Sequence, residues 1–267
     1  NIIDRRPQAL LAGSTVFGVA SNQLGSYIGL EEKGGFILGE HARHCGLRIS
    51  IRPDDLRQGH MAILGQTGSG KTNVLRLLHS GLRRVVGAKS SYVLFDFHDE
   101  FDQVDKQEMC LYPPFNFGPG DLRLDILLEL LPGLSIPQQD ILAVALDQNP
   151  TSLASLIALI AKTEGSEVSK RVVLRRLRRL ENASTFSQKE DIGDRVAQLA
   201  ARPGTGTILR LGAVQTELAQ LFISNVVRRL MLERMKGKIP PMLFLVDEAH
   251  RLMSSQSSPT ATRTFRF

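Results

Sequence analysis

The chain has 267 residues, a hydrophobic share of 42% and a formal net charge of +6, enough for one large or two small domains with a real core. No apolar run approaches the roughly 20 residues that a membrane helix needs, and the first residues lack the apolar stretch of a secretory signal, which argues against a membrane-spanning or secreted protein. Cys45 and Cys110 are far apart without metal-ligand spacing, so a disulfide scaffold is excluded and a reducing cytoplasm is expected.

Residues 1–57 are glycine-punctuated and β-rich. Short strand patterns at 15–19, 26–30, 35–38 and 47–51 predict a small barrel-like or sandwich domain. The turn at Arg52-Pro53-Asp54-Asp55 hands over to a second domain, 58–267. The first residue is Asn1, so the sequence reads as starting inside a longer chain.

The second domain opens on an apolar run, 60–64, of strand length. It leads into Gly65-Gln66-Thr67-Gly68-Ser69-Gly70-Lys71-Thr72, a match to the phosphate-loop pattern G-x-x-x-x-G-K-[ST] at every defined position. From Asn73 onward the apolar spacing is helical. Glycines let the backbone approach a ligand closely. The amides of Gly65 to Asn73 would then form an anion nest closed by a helix N-terminus. Lys71 brings a point charge to the β/γ-phosphates of ATP, and the Thr72 hydroxyl suits Mg²⁺.

A second strand is predicted at 91–95. It ends in Asp96-Phe97-His98-Asp99-Glu100-Phe101, placing Asp96 and Glu100 as supporting residues where open α/β sheets bind ligands. His98 could either approach the metal or cap the strand end. Residues 113–205 read as a helical insertion, with helices at 122–131, 137–146, 153–162, 170–180 and 192–201 between proline and glycine breaks. The sheet resumes at 206–211, a long amphipathic helix spans 215–236, and a buried strand is predicted at 242–246. That strand runs into Asp247-Glu248-Ala249-His250. Asp247 would help to hold Mg²⁺, and Glu248 would orient and deprotonate the attacking water. The fold expected is α/β: a mostly parallel P-loop sheet with helices on both faces.

Three segments, His60 to Thr72, Phe95 to Phe101 and Ile239 to Leu252, resemble the HerA/FtsK group of hexameric P-loop ATPases, and most the HerA branch. The middle segment is similar to the Asp-Pro-His-Gly-Glu-Tyr stretch of HerA proteins, with Phe97 for its proline and Asp99 for its glycine. A helicase of the two-lobed class that also carries the Asp-Glu-Ala-His tetrad needs a longer chain. The resemblance implies a ring-shaped homo-oligomer, a hexamer, that hydrolyses ATP while moving along duplex DNA, often beside a nuclease or another effector in DNA repair or antiviral defence. A motor for secretion or conjugation, and a non-hydrolysing nucleotide-binding scaffold, are the alternatives.

ATPases of this group carry a further core strand with a polar sensor, and a basic residue offered to the neighbouring subunit. Here 253–262 is polar and linker-like, and Arg263 and Arg266 are the only late arginines, so the C-terminal part reads as incomplete. The densest cationic segment, 170–180, spaces leucines at 174, 177 and 180 and carries Lys170 and arginines at 171, 175, 176, 178 and 179. It fits a solvated helix face, or a contact with a phosphate backbone. Basic residues at 228–238 suit a helix C-terminus without any DNA role.

Overall fold

The six residues of β3, Ser91–Asp96, are all buried, and their neighbours explain why so apolar a run is needed. In the computed structural model β3 lies inside a parallel sheet, between β5 (Gly206–Arg210) and β6 (Met242–Val246), with β4 (Glu108–Leu111) beyond β5. The register sets Phe95 beside Leu209 on one flank and Val246 on the other. A strand flanked on both edges and covered on both faces has no position at which a polar side chain can reach water. The structure describes residues 35–44, 46–52, 55–56, 59–85, 91–101, 108–182, 185–187 and 191–253, with positions 13, 15, 18 and 23–25 before them.

Alternation along the strands divides the core. Tyr92, Leu94 and Ile208 face α1 (Lys71–Val85) and meet Leu75, Leu78 and Leu82. Val93, Phe95 and Leu209 face α6 (Ile192–Ala200) and α7 (Thr216–Met235), and meet Val196, Phe222 and Val226. The sheet is therefore the middle of three layers, as the α/β reading requires. Below the sheet's N-terminal end, the Tyr92 hydroxyl donates to Glu108, and His79 of α1 lies 2.7 Å from the same carboxylate. To reach β4 the Tyr92 ring crosses β5 at Gly206, where a Cβ would strike the ring.

The helical insertion sits between β4 and β5. It comprises α2 (Leu124–Leu130), α3 (Ile136–Leu146), α4 (Leu153–Lys162), α5 (Glu167–Asn182) and α6. The apolar stripes of α2 to α5 close on a core of their own, around Leu127, Leu142, Leu156, Ile160, Val173 and Leu177. Asp121, almost fully buried, ties the insertion to α7. It accepts from Asn225 at 2.9 Å and from Arg228 at 2.9 Å.

Three differences from the sequence reading stand out. Residues 61–66 form no strand, and Leu64 is 90% exposed; β6 pairs only with β3 among the described residues, so no strand flanks its outer edge. Second, β4 is a strand that four mixed residues did not announce. Third, of the N-terminal barrel-like reading the described residues show one antiparallel pair, β1 (Phe36–Glu40) with β2 (Arg48–Ile51). This pair packs on α1 through Phe36, whose ring lies against Gly81. The strands predicted at 15–19 and 26–30, and the segment after 253, fall largely outside the described residues. No helix among those residues is long and apolar enough to cross a membrane.

Candidate active site

The phosphate loop owes its shape to two glycines. Gly68 and Gly70 stand at φ 81° and 91°, a left-handed conformation that side-chain-bearing residues adopt only with strain. The Ser69 amide returns to the Gln66 carbonyl at 3.1 Å, and the Val74 amide to Gly70 at 3.0 Å as α1 begins. The amides of Gly68, Gly70, Lys71, Thr72 and Asn73 have no protein acceptor among the described residues. They form the donor set expected of an anion nest at a helix N-terminus. Lys71 Nζ donates to the Gln66 carbonyl at 3.0 Å, so its ammonium stays over the loop. The loop, with Gly65, Thr67 and Ser69, is solvent-exposed.

At the C-terminal end of β3, Asp96 is wholly buried. Its carboxylate accepts from the amides of His98 at 3.3 Å, Glu100 at 3.1 Å and Phe101 at 2.9 Å. Those bonds fold the chain back into a tight loop, so Asp96 shapes the site and does not project into it. Asp99 in that loop has φ 54°. The position where the HerA resemblance calls for glycine is thus left-handed, and aspartate is one of the few other residues that tolerates such backbone. The Asp99 side chain also accepts from Gly212 at 3.2 Å, while Arg210 at the end of β5 donates to its carbonyl at 2.6 Å.

The ladder between β3 and β6 continues through the Asp247 amide to the Phe95 carbonyl, 3.2 Å, which brings the acidic ends of both strands together. Asp247 is buried, and its Oδ2 has no hydrogen-bond partner among the described residues. Desolvation pushes its carboxyl above the ordinary aspartate range, with Glu248, Asp96 and Glu100 adding to the push and His98 opposing it. A buried, unpartnered carboxylate oxygen in an acidic surrounding is chemically suited to a divalent cation.

Glu248 stands at φ 54°, an unfavourable conformation for a glutamate. Its carboxylate lies 2.9 Å from His250 Nδ1 and 3.8 Å from His98 Nε2. His250 opens α8 (His250–Met253). Strain at a residue whose side chain is held from two sides directs attention to function. No hydrogen bond or ion pair joins Lys71 or Thr72 to Asp247 or Glu248 among the described residues. The link between the two halves runs instead through Arg76 of α1, whose guanidinium is 2.9 Å from Glu100 and lies over the Phe101 ring. Sequence reasoning passed over Arg76 and Arg210. A cation one helical turn beyond the phosphate loop, and another at a strand's C-terminal end, were the available signals.

Comparison with known proteins identifies the family and the fold. The family model described as "Helicase HerA, central domain" matches residues 36–230, well over half of the chain. Two archaeal proteins named DNA double-strand break repair helicase HerA align with 92% of this chain, from Sulfolobus acidocaldarius at 24% identity and from Sulfurisphaera tokodaii at 23%. The chain spans about half, 51%, of the length of each. VirB4 of Thermoanaerobacter pseudethanolicus shares the fold, with a TM-score of 0.54 over 87% of this chain and 82% of its own at 8% identity. This chain belongs to the HerA helicase central-domain family.

Proposed function

We propose that the chain is the motor of an ATP-dependent translocase on duplex DNA. The observation that carries the ATPase half of the reading is the pairing of the open amides of Gly68 and 70–73 with a buried, unpartnered Asp247 carboxylate at the end of a parallel strand. In this reading Gly65, Gln66, Thr67, Gly68, Ser69, Gly70 and Asn73 cradle the phosphates of ATP. Lys71 concentrates positive charge where the γ-phosphoryl group leaves. Thr72 and Asp247 would hold Mg²⁺, which would supply charge neutralisation to the phosphates when bound. Glu248 accepts the proton of the water that attacks the γ-phosphorus, as the bond to the bridging oxygen of ADP breaks. Asp96 and Glu100 support the loop that faces it.

The active form we propose is a homo-oligomeric ring, a hexamer, working in the cytoplasm, with a nuclease or other effector as its companion. The domain boundary is placed at 57/58, with 113–205 as the helical insertion. The names of the archaeal relatives support the DNA half of the reading. The test is ATP turnover with and without random-sequence duplex DNA, together with solution mass. Turnover stimulated by duplex in a ring supports the reading. A monomer whose turnover ignores DNA sinks it and favours a secretion-type motor.

A further inference from the structure

The reading above leaves unassigned the densest cationic segment of the molecule. Around α5 the side chains divide by helical phase. Val173 and Leu177 are wholly buried, and Lys170, also buried, pairs with Glu167 at 2.9 Å. On the opposite side, within an arc of roughly 100° at the 3.6-residue period, stand Arg171, Arg175, Arg178 and Arg179, all exposed. No hydrogen bond or ion pair is made by any of the four among the described residues. Val168 and Asn182 complete the arc, with no acid in it; Glu181 lies outside it. Arg176, outside it too, is held by the Pro132 carbonyl.

A face built only for solvation mixes signs. The helix macrodipole favours cations in the last turn, so it accounts for Arg179 and not for Arg171, Arg175 and Arg178. All four are arginine and none lysine, the choice suited to the planar fork that phosphate oxygens accept. The arc has no aromatic side chain for stacking single-stranded bases. Nor does it have the exposed apolar face that a membrane-surface helix needs, because that face of α5 is buried in the insertion. The stripe covers about 12 Å of rigid helix, against one phosphate charge per about 1.7 Å of duplex axis.

We propose that the exposed arginine face of α5 is a contact surface for the phosphate backbone of duplex DNA. The proposal rests on the reading of the chain as a DNA motor and names where on the insertion the duplex is held. Contact is to phosphates and carries no base readout.

The test is binding of a labelled random-sequence 30-bp duplex across a salt series. It compares wild type with the quadruple variant Arg171→Gln, Arg175→Gln, Arg178→Gln, Arg179→Gln and with the matching quadruple lysine variant. Binding of a fluorescent ATP analogue reports that each variant is folded. The glutamine variant is expected to lose about tenfold or more in affinity at moderate salt, with a log–log salt slope shallower by about 3 to 4. The lysine variant is expected to recover the slope. Equal affinity and slope for wild type and the folded glutamine variant would overturn the proposal while leaving the motor reading intact. Should the quadruple glutamine variant not fold, the four single glutamine variants replace it: slopes each shallower by about 0.9 support the proposal, and four wild-type slopes overturn it. Wild-type protein that hydrolyses ATP but binds no duplex overturns both. Preference of wild type for anionic phosphatidylserine vesicles over duplex would assign the stripe to a lipid surface and also overturn it.

Discussion

Arg76 and Glu100 meet at 2.9 Å, one on the helix that follows the phosphate loop and the other on the loop that follows β3. They are 24 residues apart in sequence, and their bond is a polar tie between the helix that follows the nest and the loop that follows β3. Both side chains are about half exposed, so the pair should contribute only about 0–1 kcal/mol to stability. Its effect should appear in turnover. Glu100→Gln and Arg76→Ala are expected to melt near wild type while ATP hydrolysis falls, and the double variant should be no slower than the worse single one. Additive losses in the double-mutant cycle would show that the two residues act apart.

Lys71→Ala should abolish nucleotide binding or turnover. The ammonium is the only side-chain cation in the loop, and amides alone must then meet the triphosphate charge. Isothermal titration with Mg-ATP and a phosphate-release assay measure both effects; unchanged values would mean that the loop does not hold the phosphates.

Glu248 offers a way to separate chemistry from stability. Glu248→Gln should bind ATP and slow hydrolysis by about 10²–10⁴-fold, the usual loss for a positioned base. Glu248→Gly should be equally slow yet unfold within about 1 kcal/mol of wild type, because glycine relieves the strain at φ 54°. If the glycine variant is both inactive and badly destabilised, Glu248 is a structural residue. If the glutamine variant turns over normally, the base lies elsewhere.

Much of this site was legible in the order of residues, for a physical reason. The phosphate loop is a local motif, and β3 and β6 carry unbroken apolar runs at 92–95 and 242–246, the former because both its faces are covered. The helices of the insertion declared themselves by period and by Pro and Gly breaks. What escaped depends on distant partners. Glu108 opens β4 as a buried carboxyl, which makes sense only beside His79 and Tyr92. Arg210 finds the Asp99 carbonyl 111 residues away. The apolar run at 60–64 predicted a strand, but a run names no neighbour, and none pairs with it among the described residues. The left-handed backbone of Asp99 was foreshadowed only by its alignment with a family glycine.

Gly206→Ala tests how tightly the base of the sheet is built. A methyl there would displace the Tyr92 ring and pull its hydroxyl from buried Glu108. Overpacking a core position costs typically about 1–3 kcal/mol, and leaving a buried carboxylate short of a donor adds to that. The variant should unfold at clearly lower urea than wild type. Gly206→Ala combined with Tyr92→Phe should lose less than the sum of the two single changes. Wild-type stability in Gly206→Ala would mean that the ring has room to move.

Asp191 should make the insertion's attachment sensitive to mild acid. Its carboxyl is pushed up to about 6, first by burial and then by the Asp121 and Asp194 carboxylates, with the Asp194 amide bond and Arg229 pulling the other way. Between the ordinary aspartate value of 3.8 and about 6, the folded protein therefore holds a proton that the unfolded chain has released. The stabilisation from that proton is complete below pH 3.8 and is lost as the pH rises through about 6. Asp191 also caps α6 by accepting from the Asp194 amide at 2.6 Å, a role that asparagine fills equally well. Asp191→Asn removes the titration and keeps the cap. It should be more stable than wild type at pH 7.5, on the order of 1 kcal/mol once partial solvent screening is allowed for. Toward pH 4 the advantage should shrink away. Taking the difference between variant and wild type in urea unfolding at each pH cancels the other carboxylates. A difference that stays constant with pH, or an asparagine variant weaker at pH 7.5, would show that Asp191 is not the group that senses pH in this interface.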